Sequence, residues 1–272
     1  MKVYHEDLYS DDSVIEVKKS LFLNPEGLDY WLQKMERDGI PYKGKFREKL
    51  LSFYKVPAAM AAEAGKLHID TTKLKILSSD LELAKAGLLK NFDLMGFKTI
   101  PQDEALKINT KHNLRARLHK GYFLAKSFEA IMPKAEAISY YQKITDEQTR
   151  ETGTNNHPQK TSDYLFRNEK HTGPFIGAFN YAECQLDAGR IAKKIKKCKW
   201  CEVLKEVNDP DYAYAVACHY DFEATKVENP AFTLTRTGTL VQGRPCCDFV
   251  WHDTRIDAAL VHPGKEFWDE LA

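Results

Sequence analysis

Residues 232–241, FTLTRTGTLV, followed by 242–245 (QGRP) and 246–252 (CCDFVWH), decide the fold class. Along the first segment side chains alternate strictly. Phe232, Leu234, Arg236, Gly238 and Leu240 fall on one face of an extended chain, and Thr233, Thr235, Thr237, Thr239 and Val241 on the other. A period of two with β-branched residues enriched is a strand signature. QGRP reads as a turn and 246–252 as the returning strand, which completes a hairpin. Parity on that strand puts Cys246, Asp248, Val250 and His252 on one face, with Cys247, Phe249 and Trp251 on the opposite one.

Upstream of the hairpin the period changes. Asp209-Pro210 pairs a capping residue with a proline at the first helical position and predicts a helix over 211–222. Residues 202–207 also read as helical, whereas 190–197 (RIAKKIKK) fit either a strand or a helix, their charges forming a solvated face. Residues 175–184 are short and aromatic, introduced by Thr172-Gly173-Pro174. Residues 1–150 are mainly helical. Asn24-Pro25 opens a helix over 27–37, and others are predicted over 45–54, 79–94, 114–131 and 135–150. His68, His112 and His119 fall in this part and read as core or solvated residues. The polar segment 151–161 (ETGTNNHPQKT) is a loop or linker, taken to extend to 171. The expected class is therefore α+β: a helical N-terminal half, then a module over 172–272 in which an antiparallel hairpin or sheet packs on helices.

Composition narrows the function classes. With 40 Lys and Arg against 39 Asp and Glu in 272 residues, there is no basic excess to neutralise phosphates, so a nucleic-acid partner is not expected. The longest near-apolar run, 56–62, is far short of the ~20 residues that cross a bilayer. Residues 1–12 are charged and carry no apolar signal-peptide core. All six cysteines lie between Cys184 and Cys247, unlike a secreted disulfide scaffold, which spreads its cysteines along a shorter chain. These features together point to a soluble protein of a reducing compartment, the cytoplasm, with neither a nucleic-acid nor a membrane partner.

Several residues could carry chemistry. Cys198 and Cys201 form a C-x-x-C, but a zinc site needs a second spaced pair, and Cys246-Cys247 is adjacent. No cofactor is expected, with zinc as the alternative. On the predicted helix 211–222, Cys218 and Asp221 stand three apart and share a face. A carboxylate raises a thiol's pKa, so this pair makes sense only if Asp221 orients substrate or a proton donor, or if a cation such as Arg236 sits between them. His219 lies about 100° further round that helix and is a candidate substrate contact. On the returning strand, a cysteine with Asp248 and His252 is an inventory for nucleophilic attack with acid–base assistance. A half-buried strand with a partly solvated polar face explains the same residues.

Four short motifs, taken together, resemble the L-2-amino-thiazoline-4-carboxylic acid hydrolase family. They are Cys198-Lys199-Trp200, then Cys218-His219-Tyr220-Asp221, then Thr235-Arg236-Thr237-Gly238-Thr239-Leu240 with Gly243, and last Cys247-Asp248-Phe249. Good likeness covers roughly residues 170–252. The chain departs from the family pattern at Lys197, where arginine is usual, and at Trp251, where phenylalanine is usual.

The resemblance implies a small-molecule substrate and ring opening of a cyclic amidine: water adds at C2 of an aminothiazoline, the ring C–S bond breaks, and an N-carbamoyl amino acid is left. It carries over Cys198, Cys218, Asp221, Arg236, Cys247 and Asp248 as site residues. A carboxylate would hold the amidinium, and Arg236 would take a substrate carboxylate bidentately. Attack would come from a thiolate, or from a metal-bound hydroxide held by Cys198, Cys218 and Cys247 with an Asp or His. Resemblance favours Cys247 as the thiol, whereas strand parity sets Cys246 beside Asp248 and His252. The competing function is a thiol-rich metal- or small-ligand sensor without catalysis.

Overall fold

A computed structural model describes residues 3–7, 9–153, 159–164 and 176–271. In chain order the elements are β1 (Val3–Asp7), β2 (Val14–Lys18), α1 (Glu26–Arg37), α2 (Lys45–Phe53), α3 (Ala58–Ala61), α4 (Leu81–Leu94), β3 (Ala105–Asn109), α5 (Thr110–Ser127) and α6 (Lys134–Thr152). The remainder are β4 (Phe179–Gln185), β5 (Arg190–Cys198), α7 (Lys199–Lys205), α8 (Pro210–Ala217), α9 (Asp221–Glu228), β6 (Phe232–Thr235), β7 (Cys247–Asp253) and α10 (Lys265–Glu270). The fold is α+β, as expected, and it forms two compact units: residues 14–144, and residues 1–13 with 145–272.

Local signals start the helices of the first unit. The Asn24 side chain accepts from the Glu26 N–H at 2.7 Å, Asp80 from Leu83, and Asn109 from Lys111 at 2.8 Å. Strands β2 and β3 form a two-stranded antiparallel sheet, and their inward Ile15, Val17, Leu106 and Ile108 join Phe92, Leu88 and Met60 in one core. Buried Asp29 on α1 accepts from three successive backbone N–H groups, those of Lys75, Ile76 and Leu77, at 2.7–3.0 Å. Burial alone would push this carboxyl up, but the backbone donors outweigh it and hold it below its ordinary value.

The second unit is built on a five-stranded sheet of order β1-β4-β5-β7-β6, with every pairing antiparallel. In the centre, β5 and β7 pair without a register shift. Alternation therefore survives along β7. Cys247 and Phe249 join Tyr181, Ile195 and Leu234 on one face, while Val250 joins Ala182, Cys184 and Ala192 on the other. The first face packs against Phe222 of α9 and Cys198 at the start of α7; the second packs against Trp268 and Leu271 at the C-terminal helix α10. Lys194 reaches from β5 to the carbonyls of Trp268 and Leu271, using its charge to satisfy the C-terminal end of α10.

Several expectations change. Residues 190–197 are a strand, and their lysines are not one solvated face: Lys193 is buried, because β5 is central and its inward side carries Ile191, Lys193 and Ile195. The expected helix over 211–222 is two helices, broken at 218–220. Strand β6 stops at Thr235 although the alternating pattern runs to 241. Of the expected linker, residues 154–158 and 165–171 lie outside the described residues, as do Thr172, Gly173, Pro174 and Phe175. Among the described residues no helix is long and apolar enough to cross a membrane.

Asp29→Ala removes the acceptor for three backbone N–H groups, that of Leu77 buried, and should cost about 3 kcal/mol in urea unfolding at pH 7. A depressed carboxyl stabilises the fold above its unfolded pKa and loses that contribution as pH falls through the folded value. The difference between wild type and variant should therefore shrink as pH falls below about 4.

Candidate functional site

Between the inward face of the second unit's sheet and helices α7 to α9 lies a cavity of about 360 Å³, a size suited to a small ligand. The sheet contributes Lys193, Ile195, Cys247, Phe249 and Trp251. The helical side contributes Trp200, Cys201, Cys218, Tyr220, Asp221 and Glu228, and Cys198 stands at the start of α7. Four of the residues expected at a site therefore share one cavity: Cys198, Cys218, Asp221 and Cys247.

The break between α8 and α9 aims two of them. Helix α8 ends at Ala217, and the N–H groups of Cys218 and His219 both return to the Tyr214 carbonyl. Cys218 and Asp221 thus flank a corner instead of sharing one helical face. The cation anticipated between them is present. Arg236 donates to Asp221 Oδ2 at 2.6 Å and to the Cys218 carbonyl at 2.8 Å, with Tyr214 Oη at 3.2 Å. Its side chain is 1% exposed and lies about 5 Å from the centres of the Phe222 and Phe249 rings. Arg236 therefore serves as a tie beneath the cavity, with both terminal nitrogens engaged by protein acceptors. Burial raises the Asp221 carboxyl to about 6, a rise that the Arg236 charge moderates.

All six cysteines are free. Burial pushes the Cys247 thiol up to about 12 and raises those of Cys198 and Cys218 as well. For Cys218 the neighbouring Asp221 charge adds to the rise and Arg236 opposes it. At neutral pH all three thiols are protonated. One feature favours a thiolate at Cys247: its Sγ accepts from the Leu240 N–H at 3.3 Å. Among the described residues, no three His, Cys, Asp or Glu side chains are grouped so as to hold a metal ion.

Asp248 and His252 face away from the cavity. Asp248 Oδ1 accepts from the N–H groups of Thr237 at 3.0 Å and Gly238 at 2.9 Å, while Oδ2 takes the Thr237 hydroxyl and lies 3.3 Å from His262 Nε2. Burial opposes these bonds, yet the carboxyl is held below its ordinary value, first by His262 and then by Thr237. Asp248 thereby fixes the loop that delivers Arg236. His252 is fully buried, with Nδ1 2.6 Å from Asp257 and Nε2 2.7 Å from the Thr235 hydroxyl. His219 lies 3.1 Å from Asp146 of α6 and does not line the cavity. Cys246 shares the outward face with Asp248.

The sequence profile of the L-2-amino-thiazoline-4-carboxylic acid hydrolase family matches residues 114–251, just over half of the chain. The chain belongs to this family. No match was found among curated proteins or among solved structures.

The hydrolase-family motifs now have distinct physical tasks. In Thr235-Arg236-Thr237-Gly238-Thr239-Leu240, Arg236 ties the corner, Thr237 and Gly238 supply donors to Asp248, and the Leu240 N–H meets Cys247. Gly243 adopts φ +79°, a left-handed conformation that glycine takes without strain. A Cβ at Gly238 would stand 2.4 Å from the Arg244 side chain.

Sequence reasoning missed Lys193 and its partner Glu183, 2.7 Å apart, with side chains 4% and 0% exposed. The usable signal was the period of two, which sets Lys193 between Ile191 and Ile195 on one face. Asp248→Ala should release the loop, lowering stability by about 3 kcal/mol in chemical unfolding. It should also increase hydrogen exchange at the N–H groups of Thr237 and Gly238 before the strands themselves exchange.

Proposed function

We propose that this hydrolase-family chain opens the ring of a small cyclic amidine of the 2-amino-thiazoline-4-carboxylate type inside the cavity, without a cofactor. The observation that carries this reading is Asp221: a half-buried carboxyl, raised to about 6, in the same cavity as the family's three motif cysteines. A base with a pKa just below neutrality is ionised at pH 7 and still strong enough to take a proton from water.

In the proposed reaction the substrate enters as an amidinium, whose C2 is electrophilic. Asp221 accepts a proton from water as the water oxygen bonds to C2. The ring C2–S bond then breaks with its electron pair going to sulfur, and sulfur takes the proton held by Asp221. The new carbonyl oxygen loses its remaining proton to solvent, leaving a urea nitrogen–carbon–oxygen unit and a free thiol. Asp221 ends ionised, ready for the next turnover. The tie from Arg236 keeps the carboxylate aimed while burial keeps it basic.

A second reading is favoured by the Leu240 N–H on Cys247 Sγ: the Cys247 thiol passes its proton to Asp221 as its sulfur bonds to C2. The ring C2–S bond breaks with its electron pair going to the ring sulfur, which takes that proton. Water then adds to C2 and displaces Cys247, which leaves as a thiol. Six free thiols fit a reducing, cytoplasmic setting.

Asp221→Asn should lower kcat/KM by about 10²–10⁴-fold, with the thermal transition retained. Because the base must be ionised, wild-type kcat/KM should rise as pH increases through about 6 and then level off. Full activity in the Asn variant would sink the proposal. Cys247→Ala separates the two attacking groups. Direct attack by water predicts turnover within about tenfold of wild type and no covalent adduct in intact-protein mass spectra of quenched reactions. Attack by the thiol predicts loss of turnover and, in wild type, a trapped adduct.

A further inference from the structure

Taking the cavity as a ring-opening site, an acidic substrate needs a cation there, and the residue expected to supply it does not. Arg236 is spent on Asp221, Tyr214 and the Cys218 carbonyl, and its side chain is 1% exposed. Among the described residues that line the cavity, the one basic side chain is Lys193. We propose that Lys193 anchors the substrate's carboxylate, with Glu183 as a positioning residue that holds the ammonium in place on the cavity floor.

Three observations support this role. The first is cost. Lys193 and Glu183 stand directly opposite each other on β5 and β4, in a sheet face otherwise lined by Tyr181, Ile195, Cys247 and Phe249. Removing two charges from water costs several kcal/mol per ion, and a well-packed apolar pair of similar volume is often the more stable choice. Stability alone therefore gives no reason for a charge at this point of the floor.

The second is environment. The Lys193 Nζ lies 4.6 Å from the centre of the Tyr181 ring and 5.8 Å from that of Trp251, so aromatic faces help hold the cation where water is sparse. A carboxylate arriving there would share the Lys193 ammonium with Glu183, in surroundings where solvent screens little.

The third is polarity across the cavity. Lys193 is on the sheet side, whereas Asp221 and Glu228 are on α9 opposite. A ring with a carboxylate at one end and an amidinium at the other would meet opposite charges at both ends. This arrangement would also fix which end of the ring faces Asp221, the base.

The test is calorimetric titration of the full chain with two probes, 2-amino-thiazoline-4-carboxylate and the carboxylate-free 2-amino-thiazoline. Wild type should bind the carboxylated ring about 30-fold more tightly, the value of one charge-assisted contact. Lys193→Met should bring that ratio close to one while leaving affinity for the carboxylate-free ring within about twofold. Lys193→Arg should restore part of the ratio, and Glu183→Gln should reduce it by a smaller factor than Lys193→Met. A purely structural role would weaken both probes together, and that result overturns the anchor. So does wild type that binds the two rings equally, or fails to bind the carboxylated one; neither outcome depends on a variant folding. Following ring opening in the same samples keeps the two ideas apart. Lysine-dependent binding without opening sinks the hydrolytic reading alone, and equal opening of both rings by wild type sinks the anchor alone.

Discussion

A guanidinium cannot be deprotonated at any pH the protein meets, so a buried one must be surrounded by acceptors. The Arg236 side chain satisfies that constraint with Asp221, the Tyr214 hydroxyl and the Cys218 carbonyl. Each acceptor belongs to the corner where α8 gives way to α9. The Cys218 carbonyl lies past the last turn of α8, where helical carbonyls lack intrahelical partners. By taking it, Arg236 makes the break in the helix tolerable in the interior. The same contact balances the charge of Asp221. Remove the guanidinium, and a half-buried carboxylate and a helix end both lose their partner.

What brings Arg236 to that corner is a strand used on both sides. On its inward face β7 presents Cys247 and Phe249 to the cavity; on its outward face Asp248 draws in the N–H groups of Thr237 and Gly238. The loop is thus held from behind the sheet while its arginine works in front. Cys-Asp-Phe is a motif with its two jobs on opposite faces, one residue apart. This also explains why β6 is short. Beyond Thr235 the chain bends at Thr237, and the Thr237 and Gly238 N–H groups are claimed by a carboxylate in place of a neighbouring strand.

Much of this was legible in residue patterns, and the failures share a cause. The parity of β7 and the start of α1 at Asn24 follow from signals within a few residues. The gathering of Cys198, Cys218, Asp221 and Cys247 as candidates has another source, the resemblance of four motifs to the family. Strand β1 was not foreseen because its partner is β4, with Val3 opposite Cys184. No local pattern records a pairing at that separation. The corner at 218–220 was missed because the residues on either side suit helix, and only the distant Arg236 makes stopping there favourable. Lys193 was read with its lysine neighbours as solvated, since nothing nearby in the sequence reveals that strands cover both edges of β5. In each case the deciding partner lies far along the chain.

The outward face carries one more constraint, and it is a matter of counting hydrogens. The Thr235 hydroxyl bridges His252 Nε2 at 2.7 Å and His262 Nδ1 at 2.8 Å; the other ring nitrogens face Asp257 at 2.6 Å and Asp248 at 3.3 Å. Four hydrogen bonds need four hydrogens, while two neutral imidazoles and one hydroxyl supply three. Burial lowers the pKa of His252, with Asp257 opposing, which favours its neutral form. A neutral His252 donating to Asp257 through Nδ1 leaves Nε2 to accept the Thr235 proton. Thr235 must then accept from His262, and the bond from His262 to Asp248 is complete only if that ring carries a second proton. The carboxylate that holds the Arg236 loop is therefore the end of a proton-limited chain. Its grip from the two backbone N–H groups is fixed, but its grip from His262 depends on one hydrogen.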